Sequence, residues 1–336
     1  MALVIFACTP QIPHAGSTGA QFTGCAFQFP GNRLAARQLN VHSASATCIR
    51  SKMSEVSNHM KLTIFRHLWG VAGEWEDLFP RIKLSGYHGI ESALPSPNDR
   101  NRLRSLLRKH GLEFIAQVFS QGKTVTEHLE SLREQIADAR TFTPRLINAH
   151  SGQDGFTEDD SARFFEGALR LEAEAGVAIA HETHRGRILY NPWITSRMLT
   201  RFPELKLCCD FSHWVCVCER LLKDQAGIIR QCAKHCLHVH ARVGYEQGPQ
   251  VPDPRAPEYQ RHQAAHEVWW RLIWESQEKR GCRISTLTPE FGPPDYQHTL
   301  PFTRVPVSCL EEICDWQARR QANNFASRSK GRQRAG

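Results

Sequence analysis

Eight short apolar runs pace this sequence, at 62–66, 89–91, 112–119, 145–150, 177–182, 205–210, 237–241 and 284–290. The segments between them at 100–109, 126–140, 158–175 and 260–280 place apolar residues at helical spacing with charged opposite faces. Gly111 and Gly176 follow two of these segments, where a left-handed C-cap belongs. Eight strands alternating with crossover helices is the count of a (β/α)8 TIM barrel, of class α/β. A doubly wound sheet would want a Gly-rich phosphate turn after its first strand, and Arg66-His-Leu-Trp-Gly-Val-Ala-Gly is not one.

The two ends differ from this body. Residues 1–59 are rich in Ser, Thr, Gly, Ala and Gln, hold one acid (Glu55) and lack periodicity. They are expected to be a disordered or targeting extension, either a transit peptide or an over-extended start before the strand that opens at Met60. Residues 318–336 carry six basic residues and no acid, and are expected to form a disordered basic tail. The domain plan is therefore an extension (1–59), a barrel (60–317) and a tail (318–336). Of the net charge of +8, the extension holds +3 and the tail +6, so the barrel carries −1. Nucleic-acid binding needs charge clustered on a folded face, and a near-neutral body argues against it. No apolar run approaches the roughly 20 residues that span a bilayer.

Twelve cysteines in a chain this long are expected to be reduced thiols of a cytoplasmic protein, or of an organellar one if the extension is a transit peptide. A zinc knot from Cys216, Cys218, Cys232 and Cys236 would need spacing unusual for structural zinc.

Polar residues recur where the runs end, in Ile147-Asn-Ala-His150, Ala180-His-Glu182, Cys208-Cys-Asp210, His238-Val-His240 and Thr286-Leu-Thr-Pro-Glu290. C-terminal strand ends converge on the face of a barrel that carries its active site. Glu182, Asp210, His240 and Glu290, three carboxylates and one imidazole, could not all stay ionised in one cavity without a cation. Mixed oxygen and nitrogen ligation suits one divalent metal, with manganese the first choice and magnesium, cobalt or zinc also compatible.

At these residues the chain resembles the xylose-isomerase-like TIM barrels, which include sugar isomerases, sugar epimerases and relatives of endonuclease IV. The marks are Gly86-Tyr-His-Gly-Ile-Glu91, His150-Ser-Gly, His181-Glu182-Thr-His184, Asp210-Phe-Ser-His213, His238-Val-His240-Ala-Arg242 and Pro289-Glu290-Phe-Gly, over roughly 60–316. The resemblance implies metal ligation by Glu182, Asp210, His240 and Glu290, with His213 and Arg242 beside the substrate. It implies a sugar or sugar-phosphate isomerase or epimerase in which Glu182 and Glu290 pass a proton across an enediolate held by the metal. Dehydratases of polyol-derived or shikimate-type substrates within the same superfamily, an endonuclease-like phosphodiesterase and a non-catalytic binding barrel are the alternatives. Against the endonuclease, Val251-Pro-Asp-Pro-Arg255 has Arg where a ligand His should stand, although His88, His150 and His213 could serve part of a multinuclear site.

Further substrate contacts are expected from His150, from His184, Arg185 and Arg187 in the loop after Glu182, and from an aromatic wall of Trp69, Trp193 and Trp214. Trp269-Trp270 reads as packing or as a subunit contact of a homo-oligomer, and 244–257 as a loop covering the pocket.

Overall fold

The computed structural model describes residues 60–333. All eight expected strands are present: β1 (Lys61–His67), β2 (Gly89–Ala93), β3 (Glu113–Phe119), β4 (Leu146–His150), β5 (Ile179–Glu182), β6 (Leu207–Cys209), β7 (Cys236–His240) and β8 (Ile284–Thr288). Each pairs in parallel with the next, and β8 returns to β1 with Lys61 opposite Ile284 and Ile64 opposite Leu287, closing the barrel. The connections carry α1 (Trp75–Leu84), α2 (Arg100–His110), α3 (Val125–Arg140), α4 (Glu158–Ala175), α5 (Pro192–Arg201), α6 (Ser212–Val217), α7 (Ala226–His235) and α8 (Gln260–Lys279), and α9 (Leu310–Gln333) follows the last strand.

Alternation along the strands sets what the barrel encloses. A small inner cluster of Phe65, Ile115, Leu146, Ala180 and Cys208 plugs it near the strand starts. Two residues further along the same strands stand His67, Gln117, Asn148, Glu182 and Asp210, all buried. The apolar floor thus gives way to a polar layer at the C-terminal mouth. Residues of opposite parity, such as Ile64, Ile90, Ala116, Ile147, Ile179 and Leu287, face the helices and join the larger core.

Local signals account for the helices that were legible. Thr124 caps α3 in a reciprocal box with Glu127, Thr157 caps α4, and Gly111 and Gly176 adopt left-handed φ values of 57° and 65°. The unforeseen helices α1, α5, α6 and α7 have ten residues or fewer, and α1 contains Pro80. So short a segment offers too few turns for its period to stand out.

The expectation of a disordered tail from 318 fails, because α9 continues to Gln333. Ile313, Gln317, Gln321 and Phe325, four residues apart, are all buried. Two glutamines inside that stripe disguise it as polar, yet Gln317 donates to Ala241 O at 3.1 Å and Gln321 to Glu267 Oε1 at 2.9 Å. Arg320 pairs with Glu267, and Phe325 packs edge-on to Trp274. The basic residues as far as Arg328 therefore ride on a docked helix, and the folded body extends beyond 317. The extension expected over 1–59 lies outside the described residues.

Trp269 and Trp270 are buried, Trp269 against Phe211 and both against His266. Among the described residues nine cysteines are free thiols, and Cys216, Cys218, Cys232 and Cys236 do not gather there as a metal-holding group. No helix among the described residues is long and apolar enough to cross a membrane.

Candidate functional site

The structure brings Glu182, Asp210, His240 and Glu290 together: one ligand atom from each lies within 4.8 Å of the other three. All four side chains are buried. Glu182 ends β5 and His240 ends β7, while Asp210 and Glu290 stand one and two residues beyond β6 and β8.

Each is held from behind. His240 Nε2 lies 3.0 Å from Glu91 Oε1, and the other oxygen of Glu91 accepts from Thr288 Oγ1 at 2.5 Å and faces His238 Nε2 at 3.1 Å. Glu182 Oε2 accepts from Asn148 Nδ2 at 2.7 Å and lies 2.9 Å from His150 Nε2. Asp210 Oδ1 accepts from the Ser212 amide and hydroxyl at 3.0 and 2.5 Å. Its Oδ2 accepts from Arg242, whose guanidinium also reaches Glu290 Oε2 at 3.1 Å. His67 accepts from the Trp69 amide through Nδ1, which turns Nε2 toward Gln117 Oε1 at 3.3 Å and Glu290 Oε1 at 3.4 Å.

What remains open after these contacts identifies the centre. Glu182 Oε1, Glu290 Oε2 and His240 Nδ1 are buried outside this hydrogen-bond network and face one another, with Arg242 reaching Glu290 Oε2 only as an ion-pair partner. Nδ1 stands 2.8 Å from Glu290 Oε2 and 3.6 Å from Glu182 Oε1. With Nε2–H directed at Glu91, the Nδ1 lone pair points at carboxylate oxygens, an arrangement that requires a proton or a cation between them. Four buried carboxylates (Glu91, Glu182, Asp210, Glu290) meet one guanidinium, Arg242, which leaves a large negative excess. The donors fit a divalent metal in number, type and spacing.

The titration behaviour reflects the same crowding. Burial opposes ionisation of Glu91 and Glu182, but adjacent imidazoles hold both well below the usual carboxylate range. Glu290 is held at about 2, His240 and Arg242 outweighing burial. Asp210 moves upward, because burial and the charges of Glu290 and Glu182 prevail over Arg242. His240 is driven well above its ordinary value despite burial, by the surrounding carboxylates of Glu290, Glu91 and Glu182.

Above the polar layer opens a cavity of about 530 Å³. His67, Gln117, His150, His184, Arg187, Arg242 and Glu290 supply its polar surface, and Leu68, Trp69, Trp75, Phe119 and Tyr296 much of its apolar wall. Of the expected substrate contacts, His150, His184, Arg242 and Trp69 line this cavity, with Arg242 committed to two carboxylates. His213 does not line the cavity: it is buried behind His184, with Nε2 at 2.8 Å from Arg242 Nη2. Arg185 stacks over the Tyr296 ring and Arg187 takes the wall position in its place. Of the aromatic trio only Trp69 contributes, since Trp214 is buried with Nε1 donating to Leu189 O, and Trp193 packs with Arg220. The 244–257 loop does not line the cavity either. Gln250 braces the backbone of Gly292 on the loop after β8, and that loop supplies Tyr296. His88 is exposed and caps the Ile64 amide at the start of β2, and Arg255 pairs with Asp253 and Glu312, so neither joins the centre.

Sequence reasoning missed His67, Gln117, Asn148 and Tyr296 and gave Glu91 no role. Two-residue alternation signalled the strand residues, because each stands on the parity of a recognised site or plug residue. Tyr296 had no such signal, coming from an irregular loop.

Residues 79–267 match the family described as Xylose isomerase-like TIM barrel, and the chain belongs to that family. No curated protein sequence matches it. Among solved structures it is similar to D-allulose 3-epimerase from Methylomonas sp., at 14% identity and TM-score 0.53 over 79% of this chain and 99% of that one. A Xylose isomerase-like TIM barrel protein from Mycobacterium smegmatis in complex with magnesium aligns at 10% identity and TM-score 0.53, over 79% and 97%. A probable 3-DHS dehydratase from Bacillus anthracis aligns at 13% and 0.50, over 76% and 97%. At these identities the likeness is one of fold.

Proposed function

We propose that this protein is a divalent-metal-dependent isomerase or epimerase of a sugar or related hydroxy-carbonyl compound. The observation that carries the reading is the convergence of the buried Glu182 Oε1, Glu290 Oε2 and His240 Nδ1 beside Asp210, with Arg242 the one guanidinium among them. Glu182, Asp210, His240 and Glu290 would hold the cation. When bound, it supplies positive charge to offset the negative charge that builds on the substrate's oxygens as a proton leaves the adjacent carbon.

The chain's own groups then divide the remaining work. Glu290 reaches the cavity wall and removes the proton, with His67 beside its outer oxygen. Glu182 returns the proton, its carboxylate steadied by Asn148 and His150. Trp69 and Tyr296 pack edge to face with centroids 4.9 Å apart and screen the reacting carbon from water. A superfamily containing epimerases and isomerases supports this class of reaction, and a family neighbour crystallised with magnesium supports the metal.

The test is deuterium wash-in from heavy water, screened over ketoses, aldoses and their phosphates with manganese present. Exchange into one substrate, abolished in Glu182→Gln and Glu290→Gln, is expected. Absence of exchange with manganese, magnesium, cobalt and zinc alike contradicts the assignment. Product analysis separates epimerisation, isomerisation and dehydration, which share the first proton removal.

A further inference from the structure

Arg187 is a half-buried guanidinium in the cavity wall with no carboxylate partner. Its Nη1 donates to Ser120 O at 3.0 Å and Gly152 O at 3.1 Å, which fixes the side chain against the ends of β3 and β4. Among the described residues it forms no ion pair, and its Nε and Nη2 make no hydrogen bond, whereas Arg242 in the same cavity is bound to Asp210 and Glu290. A positioned guanidinium with a free edge presents donors in the geometry that a carboxylate or phosphate accepts. Holding it half-buried disfavours its charge, and burial does lower its pKa from the ordinary value, with Glu182 and Asp154 opposing.

Trp69 and Tyr296 give the same cavity an aromatic wall, Tyr296 packing against the loop that carries Arg187. The Trp69 ring lies so close to Gly292 that a Cβ there would fall 2.1 Å from it, and Arg185 and Arg242 stack on Tyr296 at 4.9 and 5.0 Å. Such a wall suits the face of a ring more than a flexible open chain.

Resting on the metal-dependent reading above, we propose that Arg187 is a specificity residue and that the substrate is a cyclic hydroxy-carbonyl compound bearing one anionic group. Arg187 holds the anion, Trp69 and Tyr296 hold the ring, and the reacting carbons face the Glu182–Asp210–His240–Glu290 centre.

Calorimetric titration of the full chain, saturated with manganese, with benzoate, phenyl phosphate and neutral benzamide tests this. At least one anion should bind about tenfold tighter than benzamide, and which one distinguishes carboxylate from phosphate. Arg187→Gln should lose about tenfold for that anion and leave benzamide unchanged. Arg187→Lys, which keeps the charge and loses the fork, should fall between and guards against a folding defect in Arg187→Gln. Equal binding of benzamide, no saturable anion binding, or anion affinity unaltered in both variants would overturn the proposal. A separate manganese titration keeps the two readings apart: lost metal binding with intact anion binding indicts the centre, and the converse indicts Arg187.

Discussion

Glu91 Oε1 lies 3.0 Å from His240 Nε2, with both side chains shut off from solvent. That contact fixes which imidazole nitrogen carries the proton and which faces Glu182 and Glu290. A carboxylate behind a ligating histidine sets ring orientation and basicity, so its influence exceeds that of one hydrogen bond. Glu91→Gln keeps the shape and removes the charge. Manganese affinity by calorimetry should fall about tenfold, and an unchanged value would deny Glu91 this role.

Arg242 acts as an internal counter-cation, bridging Asp210 and Glu290. Arg242→Met strands two buried carboxylates and should cost about 3–5 kcal/mol in urea denaturation of the metal-free protein. With saturating manganese the loss should shrink, because a dication compensates the same oxygens. A penalty identical with and without metal would show that the two charges do not share a site.

Gly292 carries the Trp69 ring on its backbone. Gly292→Ala should displace that ring, lowering stability by about 1–3 kcal/mol and altering tryptophan fluorescence. Fluorescence and melting temperature both unchanged would mean that Trp69 is not pinned there.

A pH effect is expected away from the centre. Burial drives His266 down from 6.5 to about 4, and its ring joins two backbones, Nδ1 to His262 O at 2.8 Å and Nε2 to the Gly244 amide at 3.3 Å. The unfolded chain takes up a proton near pH 6.5 that the folded chain refuses until about pH 4. Stability is therefore complete above that window and lost as pH falls through it, by about 3 kcal/mol. Denaturation from pH 7 to 4.5 should be steeper for the wild type than for His266→Gln; parallel profiles would count against it.

The barrel was readable because its strands are continuous apolar runs whose polar residues crowd at one end, a pattern that survives without tertiary information. Glu182, Asp210, His240 and Glu290 stood out for the same reason. Their supports did not: Glu91 and Asn148 lie deeper in their strands, where a polar residue reads as an interruption until closure of the barrel brings β2 and β4 to face β7. The roles of Arg185 and Arg187 depend on loop conformation that spacing does not encode. In α9, Gln317 and Gln321 concealed a buried stripe because a glutamine in a core position looks solvated until its partners are known.

The position of a bound dication is the decisive measurement. Crystals of the full chain soaked in manganese, measured at a wavelength where its anomalous signal is strong, should give one peak enclosed by Glu182, Asp210, His240 Nδ1 and Glu290, and none in Glu290→Ala. No peak at saturating manganese, or a peak centred instead on His150, Glu182 and His184, would contradict the central claim.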